Sequence, residues 1–154
     1  LLITAIGVSN FYPDRYLDLT HFAEIKPAVN QVETHVFQQQ KTARKYLAKH
    51  HTQIMSWGPF AEGKNDFFHT PLLKEIGAKY KKSTAQVALR FLLQSDVVVI
   101  PKSVHENRMQ ENINVFDFTL TDEEMKAIEA LDTGKSLFFS HYDPETVEWF
   151  MSIA

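Results

Sequence analysis

Residues 97–112 read VVVIPKSVHENRMQEN. Val97, Val98, Val99 and Ile100 describe a short strand buried on both faces, and Pro101 ends it because proline has no N–H to give to a ladder. Directly beyond lie Lys102, Ser103 and Val104, then a polar helical segment in which Arg108, Glu111 and Asn112 stand three and four residues apart and so share a face. A cation, a hydroxyl and a helix start converge at the carboxyl end of a strand. In α/β proteins ligands bind at that end, and a helix N-terminus beside Lys and Arg suits a phosphate. The same spacing also describes an ordinary strand-to-helix loop with solvated charges, so its surroundings must decide.

Just upstream, Ser83 with Gln86 three residues on forms a capping box for the helix TAQVALRFLLQ. Downstream, Thr121 with Glu124 repeats the device before DEEMKAIEAL, and Asp143-Pro144 supplies an N-cap and first residue for PETVEWFMSI. Three further strands are expected at 4–8, 28–32 and 53–57. A helix from about Pro13, with Tyr16, Leu17, Leu19 and Phe22 as its apolar positions, separates the first two, and QQQKTARKYLAKHH separates the second from the third. GPFAEGKND, 58–66, is a loop leading to a helix over 71–80. No Asn-Gly or Asp-Gly hairpin signal joins any two strands. This is a parallel βα pattern, compatible with an open doubly wound sheet or with part of a (β/α) barrel. A dinucleotide fold with a glycine-rich first turn fits poorly, since the first turn here is SNFYPD.

The chain has 154 residues, enough for about one domain with a sizeable core. It has no cysteine, which excludes disulfides and thiolate chemistry. A net charge of −3 gives no support to nucleic-acid binding, and no apolar run of about 20 residues exists to span a membrane. With no signal-peptide pattern, a cytoplasmic protein is the expectation. The first residue is Leu rather than Met and leads straight into a strand, which suggests a sequence beginning in the middle of something.

If the strands run parallel, their carboxyl ends share one rim, and the residues there are polar: Ser9 and Asn10, Gln31 and Glu33, Trp57, Lys102 and Ser103. Carboxamides offer donor and acceptor together, an indole face suits a flat ring, and Lys, Ser and Arg suit a phosphate. Together they resemble a seat for a dinucleotide, although any one alone could simply satisfy backbone groups. GPFAEGKN nearly spells a P-loop, but Asn65 stands where a Ser or Thr would hold magnesium and Pro59 removes an amide donor. Seven histidines raise the question of a metal, yet no His-Glu-x-x-His spacing occurs and no metal ligands are assigned.

The blocks AIGVSNF, AVNQVETH, SWGPFAEG, VVVIPKSVHENRMQENINVFDF and LTDEEMKAIEALD, in this order, resemble the C-terminal half of an aldo-keto reductase. The tail SLFFSHYDPETVEW is similar to the bacterial 2,5-diketo-gluconate reductase and prostaglandin-F-synthase-like branch. The resemblance implies that residues 1–154 are one incomplete domain, half of a (β/α)8 TIM barrel comprising strands five to eight with their helices and tail. It implies NADPH-dependent reduction of an aldehyde or ketone, with NADPH/NADP as cofactor. Ser9, Asn10 and Gln31 would hold the nicotinamide carboxamide and Trp57, where the family more usually has Tyr, would stack on the ring. Gly58, Pro59, Phe60, Glu62 and Gly63 would cover the pyrophosphate. Lys102, Ser103, Val104 and Arg108 would grip the 2′-phosphate, with Glu111 and Asn112 facing the adenine. The tail segment LFFSHY would shape the substrate pocket or, alternatively, cover the barrel's outside.

The family's catalytic Asp, Tyr, Lys and His lie on the first four βα units, so this resemblance assigns no catalytic residue here. Tyr16, Tyr46, Tyr80 and Tyr142 fall in helices or the tail, where packing explains them. The expected partners are a small carbonyl substrate and either the missing N-terminal half-barrel or a second copy of the chain. An alternative is a noncatalytic nucleotide-binding or assembly module.

Overall fold

Each expected strand-helix alternation is present in the computed structural model, which describes residues 3–153. The strands are β1 (Gly7–Ser9), β2 (Val29–Glu33), β3 (Gln53–Trp57) and β4 (Val98–Val99). They pair side by side in sequence order and all in parallel. The crossovers are helical: α1 (Pro13–Phe22), α2 (Lys41–Lys49), then α3 (Pro71–Tyr80) followed by α4 (Thr84–Gln94). Beyond β4 come α5 (Glu106–Ile113), α6 (Asp122–Glu129) and α7 (Pro144–Ser152). Among the described residues no helix is long and apolar enough to cross a membrane.

The register fixes which side chains are neighbours. Ser9 lies opposite Gln31, Gln31 opposite Met55, and Met55 opposite Val98, so these four form one row across one face of the sheet. Asn30, Val32, Ile54 and Ser56 point the other way and are buried beneath the helices, among Ala43 and Leu47 of α2 and Val87, Phe91 and Leu92 of α4. Burying each large apolar side chain contributes about 1.5–3 kcal/mol, so the helical side holds the arc together. The row of Ser9, Gln31, Met55 and Val98 has no such cover among the described residues.

This overturns one expectation. The segment from Val97 to Ile100 is not buried on both faces: Val98 is 39% and Ile100 53% exposed, because only the helical face is packed. Its pairing shrinks to two residues for a related reason, since β4 is an edge with β3 as its one neighbour. At the opposite edge β1 starts at Gly7 rather than Thr4, although the Ile6 carbonyl still accepts from Ala28 N–H at 2.7 Å. α2 starts three residues late, because His35 and Gln38 close a tight turn and Gln40 is left-handed at φ 54°.

The capping boxes at Ser83 and Thr121 form as their spacing predicts. That at Ser83 matters to the rim, because Gln86 also donates from Nε2 to the Glu111 and Asn114 carbonyls and so fixes the end of α5 against α4. Between α3 and α4 the chain turns so closely that a Cβ on Gly77 would stand 2.4 Å from the Lys82 carbonyl oxygen. Gly77→Ala should therefore destabilise the fold by about 1–3 kcal/mol, and Ser83→Ala by about 1 kcal/mol, read as lower urea midpoints. A midpoint for Gly77→Ala equal to wild type would show that the turn yields.

Candidate functional site

Because every strand runs the same way, the segments that follow them meet on one rim, where two hollows open. The first, about 670 Å3, lies between the ends of β1 to β3 and the returning segment 132–142. Asn10, Tyr12, Glu33, Trp57, Phe138 and Phe139 are among its walls. The second, about 420 Å3, lies between Phe60 and Phe68 on one side and the start of α4 and residues 102–112 on the other.

The second hollow brings together Phe60, Lys102, Ser103, Val104, Arg108, Glu111 and Asn112. Lys102 and Arg108 are exposed, and among the described residues neither pairs with a carboxylate. Ser103 Oγ accepts from the His105 N–H at 3.1 Å and shapes the entry to α5. The first turn of α5 has no side-chain cap. Its outward N–H groups and two nearby cations make this a place for an anion.

The first hollow gathers the other sequence candidates less completely. Asn10, held left-handed at φ 57°, donates its backbone N–H to the Gln31 carbonyl at 2.9 Å. Its Oδ1 accepts from Trp57 Nε1 at 2.8 Å, so the carboxamide's acceptor is engaged by the indole. Ser9 Oγ donates to the same Gln31 carbonyl at 3.1 Å. Ser9 and Gln31 lie beside Asn10 on the open face rather than in the hollow's wall.

Gly58, Pro59, Glu62 and Gly63 line neither hollow. They belong to the connection 58–69, a coil of tight turns with left-handed residues at Gly58, Ala61, Glu62, Gly63, Asn65 and Asp66. That coil leads from Trp57 in one hollow to Phe60 and Phe68 in the other, and thereby bridges them.

Glu33 and the tail segment around LFFSHY organise the first hollow. Glu33, named only as one polar rim residue, is 5% exposed and accepts from His35 Nε2 at 2.9 Å, from Ser136 Oγ and from the Leu137 N–H at 2.9 Å. His35 is itself fully buried, and its Nδ1 accepts the Phe37 N–H, which leaves the proton on Nε2 for Glu33. The tail runs over the rim, placing Phe138 edge-on to Trp57 at 5.1 Å and Phe139 stacked on it at 5.8 Å. Tyr12 meets the same segment, its hydroxyl accepting from His141 N–H at 3.2 Å. Burial, with Arg15 nearby, pushes the His141 imidazole below its usual pKa. A carboxylate ending a buried strand was the one available sequence signal for Glu33. Its tail partners lie about a hundred residues away.

Burial acts to raise the Glu33 pKa, but the hydrogen bonds from His35, Ser136 and Leu137 outweigh it and hold the carboxyl below its ordinary value. A folded-state pKa below the unfolded one means that the stabilisation is complete above the ordinary carboxylate range and is lost as pH falls through the depressed value. Melting curves of wild type and Glu33→Gln should differ by about 2 kcal/mol at neutral pH, and the gap should close in acid. A gap that stays constant down to the acid end would show that the charge of Glu33 contributes nothing.

Comparison with known proteins agrees with this architecture. The sequence model of the Aldo/keto reductase family matches residues 2–133. A 9,11-endoperoxide prostaglandin H2 reductase of Trypanosoma cruzi is 43% identical over 136 residues, 88% of this chain and 48% of the relative. A glyoxal reductase of Bacillus subtilis is 45% identical over 130 residues, 84% of this chain and 46% of the relative. The crystal structure of a Bombyx mori aldo-keto reductase in complex with NADP superposes with a TM-score of 0.83 at 29% identity, covering 94% of this chain and 48% of that one. The chain spans about half the length of the relatives it matches, and its four-stranded arc is half of a (β/α)8 barrel.

Proposed function

The chain belongs to the aldo/keto reductase family, and from that premise we propose that it is the C-terminal half of an NADP(H)-dependent carbonyl reductase, providing the cofactor's seat but not the proton donor. The observation that carries this reading is the division of one rim into an aromatic, amide-lined hollow and a cationic hollow joined by a single coil. Such a rim fits a long ligand with a flat ring at one end and a phosphate at the other.

Lys102 and Arg108, unpaired among the described residues and beside the uncapped start of α5, would hold the 2′-phosphate, with Ser103 and Val104 completing that wall and Glu111 and Asn112 facing the adenine. The coil containing Gly58, Pro59, Phe60, Glu62 and Gly63 would lie along the pyrophosphate. Ser9, Asn10 and Gln31 would orient the nicotinamide carboxamide, and Trp57 would stack on its ring. When bound, NADPH supplies the hydride for reduction of a small aldehyde or ketone.

Reduction also needs an acid within reach of the developing alkoxide. Tyr16 is fully buried and bonded to Thr52, while Tyr80 is committed to Glu124 and Tyr142 to Asp14. The hydrogen bond to Glu124 raises the Tyr80 pKa, and burial with the Asp14 bond raises that of Tyr142, the wrong direction for a proton donor. With these three committed elsewhere, we assign the acid to a complementary half. Ile6 at one sheet edge, and Val98 and Ile100 at the other, are exposed. An apolar hollow of about 450 Å3 beside β4, lined by Val98, Pro101, Met109, Ile113 and Phe116, could receive further elements there.

Titrating NADPH and NADH against tryptophan fluorescence tests the assignment. Lys102→Ala and Arg108→Ala should each weaken NADPH binding by about 1.5–3 kcal/mol and NADH binding much less. Equal losses for the two cofactors would refute the 2′-phosphate role. The purified chain should reduce no aldehyde by itself; turnover without a second half would show that the proton donor lies within these 154 residues.

A further inference from the structure

The segment that roofs the first hollow is anchored just before its start, whereas α7 beyond it has no buried residue among those described. Before it, Thr133 bonds the Phe37 carbonyl twice, through its N–H and its hydroxyl, each at 2.9 Å. After it, Asp143 caps α7 by accepting the Thr146 N–H at 3.2 Å. Gly134 starts the span with φ 64° in open space, where an added Cβ would meet nothing within 4 Å.

Within the span, the tie from Tyr142 to Asp14 is exposed, and that from His141 to Tyr12 is a single bond. The buried attachment is the Glu33 carboxylate, which takes Ser136 Oγ and Leu137 N–H while His35 holds it from behind. Ser136 Oγ in turn accepts the N–H groups of Phe138 and Phe139, both at 3.0 Å. One hydroxyl thus relays the carboxylate's position to the two rings packed on Trp57.

We propose that Glu33 is a positioning residue that latches residues 134–142 as a strap over Trp57, and that this strap opens and closes to admit a flat ring to the first hollow. Phe139 covers an indole face in the closed arrangement. A ring reaching the indole passes the gap that the strap closes, so latch strength sets exchange rates as well as fit. The identity of that ring as nicotinamide rests on the function proposed above. The latch itself stands on hydrogen bonds within this chain.

The experiment uses the full chain carrying Trp149→Phe, so that Trp57 is the sole tryptophan. Glu33→Gln removes the charge, and Ser136→Ala removes the same catch from the tail side without touching β2. Without ligand, both should increase acrylamide quenching of Trp57 and speed amide exchange at His141, whose N–H bonds Tyr12 and neither Glu33 nor Ser136, by about tenfold or more, because a local opening replaces a closed state. With NADPH, stopped-flow association and dissociation rates should rise together, the signature of a gate and not of a lost contact. Quenching and exchange unchanged in a folded Ser136→Ala variant would overturn the latch, and a rise in dissociation alone would overturn the gate. Absence of NADPH binding in the parent protein would refute the nicotinamide reading, leaving the latch to be decided by the ligand-free measurements.

Discussion

Parallel pairing is the constraint on which everything else here depends. Antiparallel strands would send alternate connections to opposite ends, whereas four parallel strands need a helix between each pair and deliver all their carboxyl ends to one side. The in-register rows from Ser9 to Val98 then determine which side chains can act together. Asn10, Gln31, Trp57 and Lys102 come from segments spread over most of the chain, yet all stand at or just beyond the same end of the sheet.

Along that rim the chemistry changes in one direction. The β1 to β3 side is aromatic and amide-rich and closes around a buried carboxylate, while the side beyond β4 is cationic and open to water. The two serve different physical purposes. Exposed cations attract an anion with little desolvation cost, while a shielded aromatic wall favours a flat, weakly polar group. A net charge of −3 shows that the cationic end is a local arrangement and not a property of the whole surface. The coil between them can bend sharply because Gly58 and Gly63 accept left-handed angles without a Cβ, although Ala61, Glu62, Asn65 and Asp66 adopt them too.

Much of this organisation was legible in the chain. β3 falls on the expected residues, where polar turns bracket a clean alternation of buried and half-buried positions, and both capping boxes form. The expected grouping of Arg108, Glu111 and Asn112 also holds, since helical spacing is a local property, and Lys102 joins them from the segment between β4 and α5. What failed was tertiary in origin. Val98 and Ile100 looked like the core of a two-sided sheet because periodicity does not reveal whether a second layer is present. The Glu33 cluster was obscured because Ser136 and Leu137 reach it from the far end of the chain, and no spacing rule links β2 to the tail.

In the function proposed for this chain, one rim seats the two ends of a single phosphorylated nicotinamide carrier in two separate places. Amide and indole NMR spectra of the labelled chain, titrated separately with 2′,5′-ADP and with nicotinamide mononucleotide, test it most directly. The first ligand should move the amides of residues 102–112, whereas the second should move the Trp57 indole and the amides around Asn10. Both ligands perturbing the same residues, or neither perturbing the rim, would contradict it.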